Sequence, residues 1–354
     1  MEKVLMRGND AIAEAAIRAG CRFYAGYPIT PQNEIPEYMA RRMPDVGGVF
    51  IQAESEIAAI SMVYGAACAG ARAMTSSSGP GISLKQEGIS YASGAELPLV
   101  FVNITRGGPG LANIAPAQSD YFQATRGGGH GDYRVIVLAP SSVQEAYDLT
   151  GLAFHLADKY RNPAMLLGDG VIGQMMEPMV LNEFKFPELP EKKWKLGNSS
   201  GRARNLITSV YLAEGTLEEH NNRLAKKYAE IAAQDTRYEE VLTSDAELVI
   251  VGFGTCARIS KAAVRLAREK GLKVGLLRPI TLWPFPYDAL SKVAGRCADI
   301  LVVEMSLGQL IDDVKIGVQG RSRIHFIGRP GGGIPTEFEI LDKVENALKV
   351  PAAR

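Results

Sequence analysis

Glu56-Ile57-Ala58-Ala59 … Tyr64-Gly65-Ala66-Ala67 … Gly70-Ala71-Arg72-Ala73 … Ser78-Gly79-Pro80-Gly81 is the stretch that decides how this chain is read. A single carboxylate heads a helix made largely of Ala, Gly and Ser. The helix runs into a short strand, and the strand into a Ser/Gly/Pro turn. Small residues let another backbone or a flat ring approach closely, because nothing protrudes. A Glu held among them has little water around it and shares a proton more readily than it carries a bare charge. A general acid/base acting on a buried heterocycle has that requirement. The plainer reading is a close-packed helix whose exposed N-terminal Glu complements the helix dipole.

The flanking motifs favour the first reading. Upstream lies Tyr27-Pro28-Ile29-Thr30-Pro31, and downstream Asn103-Ile104-Thr105-Arg106-Gly107-Gly108-Pro109-Gly110. The pattern E-x-A-A-x-x-x-x-Y-G-A-A-x-A-G-A-R followed by S-G-P-G resembles the pyrimidine-binding domain of thiamine-diphosphate enzymes. With Y-P-I-T-P before it and T-R-G-G-P after it, the ordered set resembles the α subunit of a 2-oxoacid:ferredoxin oxidoreductase. The resemblance continues through Gly129-His130-Gly131-Asp132 to Glu304-Met305-Ser306-Leu307-Gly308-Gln309-Leu310, so it covers nearly the whole chain. Each motif alone is weak; their order is specific.

Bulk properties fit that class. At 354 residues the chain is long enough for two domains. Lys+Arg and Asp+Glu each total 39, so no basic excess points to nucleic acid. The N-terminal residues show no long apolar core of a signal peptide, and no run reaches the roughly 18 apolar residues of a membrane span. A soluble, cytoplasmic protein is expected. Cys21, Cys68, Cys256 and Cys297 are far apart. That spacing suits neither an iron–sulfur cluster nor a structural zinc, so electrons leaving one at a time need a carrier on another chain.

Alternating patterns predict an α/β fold. Helices are expected over 8–19, 32–42, from Glu56, 82–93 and from the Ser141/Ser142 cap to about 158. Strands are expected over 22–25, 48–52, 72–75, 99–103, 135–139 and 164–167. The resulting division is a pyrimidine-binding domain over 1–180, a connector with one helix over 181–244, and a transketolase C-terminal-like α/β domain over 245–354. In the last, helix 259–270 and strands 273–277 and 300–304 are expected. Arg278-Pro279 and Pro284-Phe285-Pro286 resemble the C-terminal domain of transketolase-like enzymes.

Two segments imitate other sites. Gly252-Phe253-Gly254 follows a strand, but Ala257 replaces the third glycine of a dinucleotide motif, and Arg278-Pro279 stands where a ribose-binding acid belongs. Gly168-Asp169-Gly170 begins like a diphosphate/magnesium motif with Asn198 at about the right distance, but the Pro- and Lys-rich stretch between them lacks the rigid strand ends a magnesium pair needs. No metal ligand is therefore assigned to this chain. Asp169 is read as a strand-end residue.

The resemblance implies a division of labour. Glu56 hydrogen-bonds N1′ of the aminopyrimidine of thiamine diphosphate, promoting loss of the thiazolium C2 proton. A 2-oxoacid then loses carbon dioxide, its electrons pass to iron–sulfur clusters, and coenzyme A takes the acyl group. Pro28, Ile29, Ser78 and Gly79 are carried over as further cofactor-binding residues, and Thr30 and Arg106 as contacts to the substrate carboxylate. A guanidinium presents a planar fork to a carboxylate; Thr30 also suits a helix N-cap before Pro31. Glu54 is a rival carboxylate outside the pattern, and His130 sits in a glycine ribbon. Magnesium, the diphosphate grip and the clusters are expected on β, γ and ferredoxin-like partner subunits, leaving the isolated chain inactive. Leu111-Ala112-Asn113-Ile114-Ala115-Pro116-Ala117-Gln118 offers no cation for a second carboxylate. The segment therefore resembles that of the branched-chain enzymes acting on 2-oxoisovalerate (3-methyl-2-oxobutanoate). The alternatives are a 2-oxoglutarate enzyme and the pyrimidine subunit of a non-oxidative decarboxylase.

Overall fold

A computed structural model describes residues 3–197 and 200–349; Asn198 lies outside the described residues. The chain begins with β1 (Val4–Arg7), α1 (Gly8–Arg18), β2 (Phe23–Gly26), α2 (Glu34–Arg42) and β3 (Val49–Gln52). Then come α3 (Glu56–Cys68), β4 (Ala73–Ser77), α4 (Pro80–Gly94), β5 (Val100–Thr105) and α5 (Tyr121–Arg126). β6 (Ile136–Leu138), α6 (Val143–Tyr160), β7 (Ala164–Asp169), α7 (Gly170–Gln174) and β8 (Met176–Met179) follow. After an extended stretch come α8 (Thr216–Asp235), β9 (Tyr238–Val241), β10 (Leu248–Val251), α9 (Gly254–Glu269), β11 (Val274–Pro279) and β12 (Thr281–Trp283). The chain finishes with α10 (Tyr287–Ala294), β13 (Asp299–Glu304), α11 (Leu310–Val318), β14 (Arg323–Gly328) and α12 (Glu337–Lys349).

Seven strands form one sheet in the order β12-β6-β7-β5-β4-β2-β3, parallel except for β12. Five form a second in the order β14-β13-β10-β11-β9, parallel except for β9. Both central runs, Val100–Thr105 and Leu248–Val251, are buried along their whole length, as strands covered by helices on both faces must be. Ser55 and Ser142 cap α3 and α6, accepting from Ala58 N and Glu145 N.

Three pairings escape the local pattern. β8 pairs antiparallel with β1, far away in sequence, in a small ribbon of their own. β12, although it follows the second sheet's β11, joins the edge of the first through β6. The 181–194 stretch folds back on α6, stacking Phe184 on Tyr147 and Phe186 on His155. The helix expected from 32 begins at Glu34, with Asn33 at its N-cap. The turn before it is drawn aside because Asn9 and Gln174 both donate to Pro31 O. Thr30 is therefore not the helix cap; its Oγ1 accepts from Asn33 Nδ2 at 3.2 Å.

The two sheets share one hydrophobic core, which passes from α3 and α4 through Tyr121, Phe253 and Phe285 to α11. Arg278, wholly buried, grips Glu145 of α6 with two nitrogens at 2.6 and 2.7 Å. The Gly252-Phe253-Gly254 turn faces this joint: a Cβ at Gly254, whose φ is +52°, would lie 3.0 Å from Gln118 Nε2 and 3.3 Å from Asp169 Oδ2. That turn holds the two sheets together.

Candidate active site

The parallel strands β3, β2, β4 and β5 deliver their carboxyl ends to one edge, where open α/β sheets place ligands. Tyr27–Pro31 leaves β2, Ser78-Gly79 leaves β4 and Arg106-Gly107-Gly108 leaves β5. Glu56 opens α3 just after β3 and is only 7 % exposed. It takes no hydrogen bond or ion pair among the described residues. Its carboxylate rests against the first turn of α4: a Cβ on Gly81 would lie 2.5 Å from Glu56 Oε1, and closer still to Ser77 Oγ. Only glycine admits this approach. Among the described residues, the hydroxyls of Ser77, beside it, and of Ser78 are buried without partners. A carboxylate, two idle hydroxyls and a bare glycine edge form a small polar lining that suits a flat nitrogen heterocycle.

Arg106 ties the loops together. Its Nη1 donates to Thr30 O at 3.0 Å and its Nη2 to Leu111 O at 3.2 Å, while Nε is buried and unpartnered. The guanidinium is thus fixed by main chain with one edge spare. Gly79, with φ +47°, passes 3.4 Å from Arg106 Nε when given a Cβ, so Ser78-Gly79 and Arg106 adjoin. Pro28 is exposed, and Ile29 and Thr30 are half-buried.

A cleft of about 560 Å³ opens beside Arg106, lined by Gly79, Pro80, Gly107–Gly110, Asp120 and Gln123 on one wall. Ser306, Leu307, Gln309, Pro330 and Gly331 form the other. Among the described residues, Arg106 is the one cation in that lining. The E-M-S-L-G-Q-L motif builds this second wall: Glu304 is buried and accepts from Ser306 Oγ, Gln309 N, Leu310 N and Ile311 N. Gln309 then crosses to the first sheet's loops, accepting from Phe122 N and donating to Ser119 O. Leu307 is left 83 % exposed at the cleft.

Two residues at this edge carry no motif signal. Lys85, inside α4, is wholly buried and donates to Thr75 Oγ1 at 3.0 Å; burial pushes its ammonium down to about 8, against an opposing pull from Glu56. Asp120 accepts from Asn103 Nδ2, and burial raises its carboxyl above the usual range. In the sequence Lys85 shows only as a single cation four residues after Gly81, which marks an ordinary helix lysine.

The remaining candidates lie elsewhere. Glu54 is exposed, and His130 is exposed in its loop, with its carbonyl held by Ser90 Oγ. Asp169 caps α7 and is saturated by Val171 N, Ile172 N and Thr255. Among the described residues no cluster of His, Cys, Asp or Glu could hold a metal ion, and no helix is long and apolar enough to cross a membrane. The four cysteines are free and buried.

Residues 14–241 match the family model "Pyruvate flavodoxin/ferredoxin oxidoreductase, thiamine diP-bdg", and 246–340 match "Pyruvate:ferredoxin oxidoreductase core domain II". Ketoisovalerate oxidoreductase subunit VorB of Methanothermobacter thermautotrophicus is 50 % identical over 97 % of each chain. 2-Oxoglutarate synthase subunit KorA of Methanocaldococcus jannaschii is 42 % identical, over 96 % of this chain and 99 % of that one. Among solved structures, 2-oxoglutarate:ferredoxin oxidoreductase from Magnetococcus marinus superposes with a TM-score of 0.85 at 27 % identity. The alignment covers 98 % of this chain and 65 % of that longer one. A split-gene transketolase, at 11 % identity and a TM-score of 0.61, shares the fold. The chain belongs to the family of 2-oxoacid:ferredoxin oxidoreductase subunits, and within it carries the thiamine-diphosphate-binding domain.

Proposed function

We propose that this chain is the pyrimidine-binding subunit of a heteromeric enzyme that oxidises a branched-chain 2-oxoacid to its acyl-CoA, carbon dioxide and reduced ferredoxin. The observation that carries the reading is Glu56: a buried carboxylate with no hydrogen-bond partner among the described residues, next to the idle Ser77 hydroxyl where four strand ends converge. Bound thiamine diphosphate supplies the carbanion chemistry that 2-oxoacid decarboxylation requires. Glu56 would hold and exchange a proton at ring atom N1′. Ser78 and Gly79 would approach the ring by backbone and hydroxyl, and Pro28 and Ile29 would close its rim.

Arg106 would receive the substrate carboxylate on its free Nε edge, with Thr30 beside it. A second, distal carboxylate would find no further cation in the cleft lining, which favours an aliphatic substrate such as 2-oxoisovalerate. The exposed Leu307 in the cleft wall points the same way. The diphosphate with its magnesium and the electron-carrying clusters would reside on β, γ and ferredoxin-like partners in the cytoplasm. Residues 1–180 would act as the cofactor domain, 181–244 as the connector and 245–354 as the second wall of the cleft.

The test is reconstitution. The isolated chain should not oxidise 2-oxoacids, and the complex co-purified from its host should turn over 2-oxoisovalerate faster than 2-oxoglutarate. Preference for 2-oxoglutarate would replace the branched-chain reading with the one suggested by the KorA relatives. Companion chains lacking iron–sulfur absorbance would make the enzyme a non-oxidative decarboxylase.

A further inference from the structure

Gly81, Lys85 and Gly88 lie four and three residues apart, on one face of α4. That face meets α3. A Cβ on Gly81 would press on Glu56 Oε1, and one on Gly88 would come within 2.7 Å of Ile60 Cγ1. Glu56 and Ile60 are themselves one turn apart on α3, so Lys85 enters the seam between these two contacts. Its Nζ is anchored to Thr75 Oγ1 on β4 at 3.0 Å. An ammonium has three donors, and among the described residues no contact ion pair neutralises this one. Glu56 is nevertheless the one charged group that acts on it appreciably among the described residues. A buried, incompletely paired cation is costly, and packing alone would be served better by Met or Leu.

The geometry points to Lys85 as a positioning residue for Glu56: its ammonium holds the carboxylate in place, and in its charged form, after Glu56 has passed its proton to the pyrimidine nitrogen. This rests on the reading of Glu56 given above. One proton moves, from Glu56 Oε to N1′; Lys85 keeps its own and supplies the field. Burial sets the ammonium near 8, so the assistance is present below that pH and is withdrawn above it. The groups facing Lys85 are Glu56 from α3 and the neutral Thr75 from β4.

The experiment compares Lys85→Met, Thr75→Val and Glu56→Gln with the wild type in the assembled, thiamine-loaded complex. It follows deuterium exchange at the thiazolium C2 and the near-ultraviolet circular dichroism of the protonated aminopyrimidine from pH 6 to 9. Lys85→Met is expected to slow exchange at least tenfold below pH 8 and to erase the wild type's decline near that pH. Thiamine diphosphate affinity should change less than threefold. Thr75→Val should produce a smaller loss in the same direction, and it carries the test if Lys85→Met does not assemble. In the cofactor-free full chain, the carbon-13 lysine resonance that vanishes in Lys85→Met should titrate at lower pH once Glu56 is Gln. Wild-type exchange with an unaltered pH profile in Lys85→Met, or a Lys85 midpoint indifferent to Glu56→Gln, overturns the proposal and leaves the reading of Glu56 standing. Full exchange in Glu56→Gln overturns both.

Discussion

Glu304 and Glu56 are both buried glutamates at points where a parallel strand hands over to a helix, yet their surroundings are opposite. Glu304 accepts from one hydroxyl and three amides, all within 3.2 Å. Its lone pairs are spent on shaping the turn that carries Leu307 and Gln309. Glu56 has no hydrogen bond among the described residues, although it is only 7 % exposed. A saturated carboxylate is part of the frame, whereas one buried without donors is costly, a cost that the proposed contact with the cofactor would offset. Asp169 sides with Glu304. It begins a sequence that imitates a metal motif, but its acceptors are filled by α7 and Thr255.

The contrast breaks most sharply on substitution. Glu56→Ala should reduce the assembled complex's kcat/KM by about 10²–10⁴-fold, the range for losing a general acid/base. The chain's unfolding free energy should stay within about 1 kcal/mol, because no hydrogen bond is lost. Urea unfolding and steady-state kinetics on the same preparation check both halves. A large stability loss with intact catalysis would put Glu56 in the frame with Glu304.

Glu304→Ala should do the reverse. Four donors lose their acceptor, so the chain should lose about 3–4 kcal/mol of stability in urea titrations. C2 exchange should fall only as far as Leu307 and Gln309 shift. Arg106→Ala lies between the two cases, since the side chain both ties loops and keeps Nε spare. It should remove about 2–4 kcal/mol of transition-state binding for a 2-oxoacid. If Arg106 serves only to tie Thr30 to Leu111, the neutral aldehyde analogue of the substrate will be affected as much as the acid.

The same contrast separates what the sequence disclosed from what it hid. The Ser55-capped helix behind Glu56, the Ser142 cap and most strand ends follow from local chemistry: cap residues, small-residue helices and apolar runs. Glu56 stands out as a candidate once the ordered flanking motifs are set beside the lone carboxylate at the head of its Ala/Gly helix. The pairing of β1 with β8 and the return of β12 to the first sheet join segments whose partners are chosen by tertiary packing. Neither strand's pattern names its neighbour. Glu304 and Gln309 belong to a sequence motif, but their work is to brace a wall from the far sheet, which no spacing within the motif reveals. Lys85 reads as an ordinary helix lysine until α3 is laid across it.

The mildest expected effect sharpens the comparison from the basic side. Lys85 ionises near 8 in the folded chain against an ordinary 10.5. Between those values the unfolded chain binds the extra proton, so folding stability should rise with pH across that window. Below about pH 8 the folded chain bears the full cost of the buried ammonium. Lys85→Met removes both the cost and the slope. The variant should therefore exceed the wild type by on the order of 2 kcal/mol at pH 7, with the gap closing toward pH 10, as measured by chemical unfolding of the cofactor-free chain at several pH values. A variant less stable than the wild type at pH 7 would mean that Lys85 braces the α3–α4 seam much as Glu304 braces its turn. A variant more stable yet slower at C2 exchange would put Lys85 with Glu56, among groups the fold tolerates at a cost because the chemistry uses them.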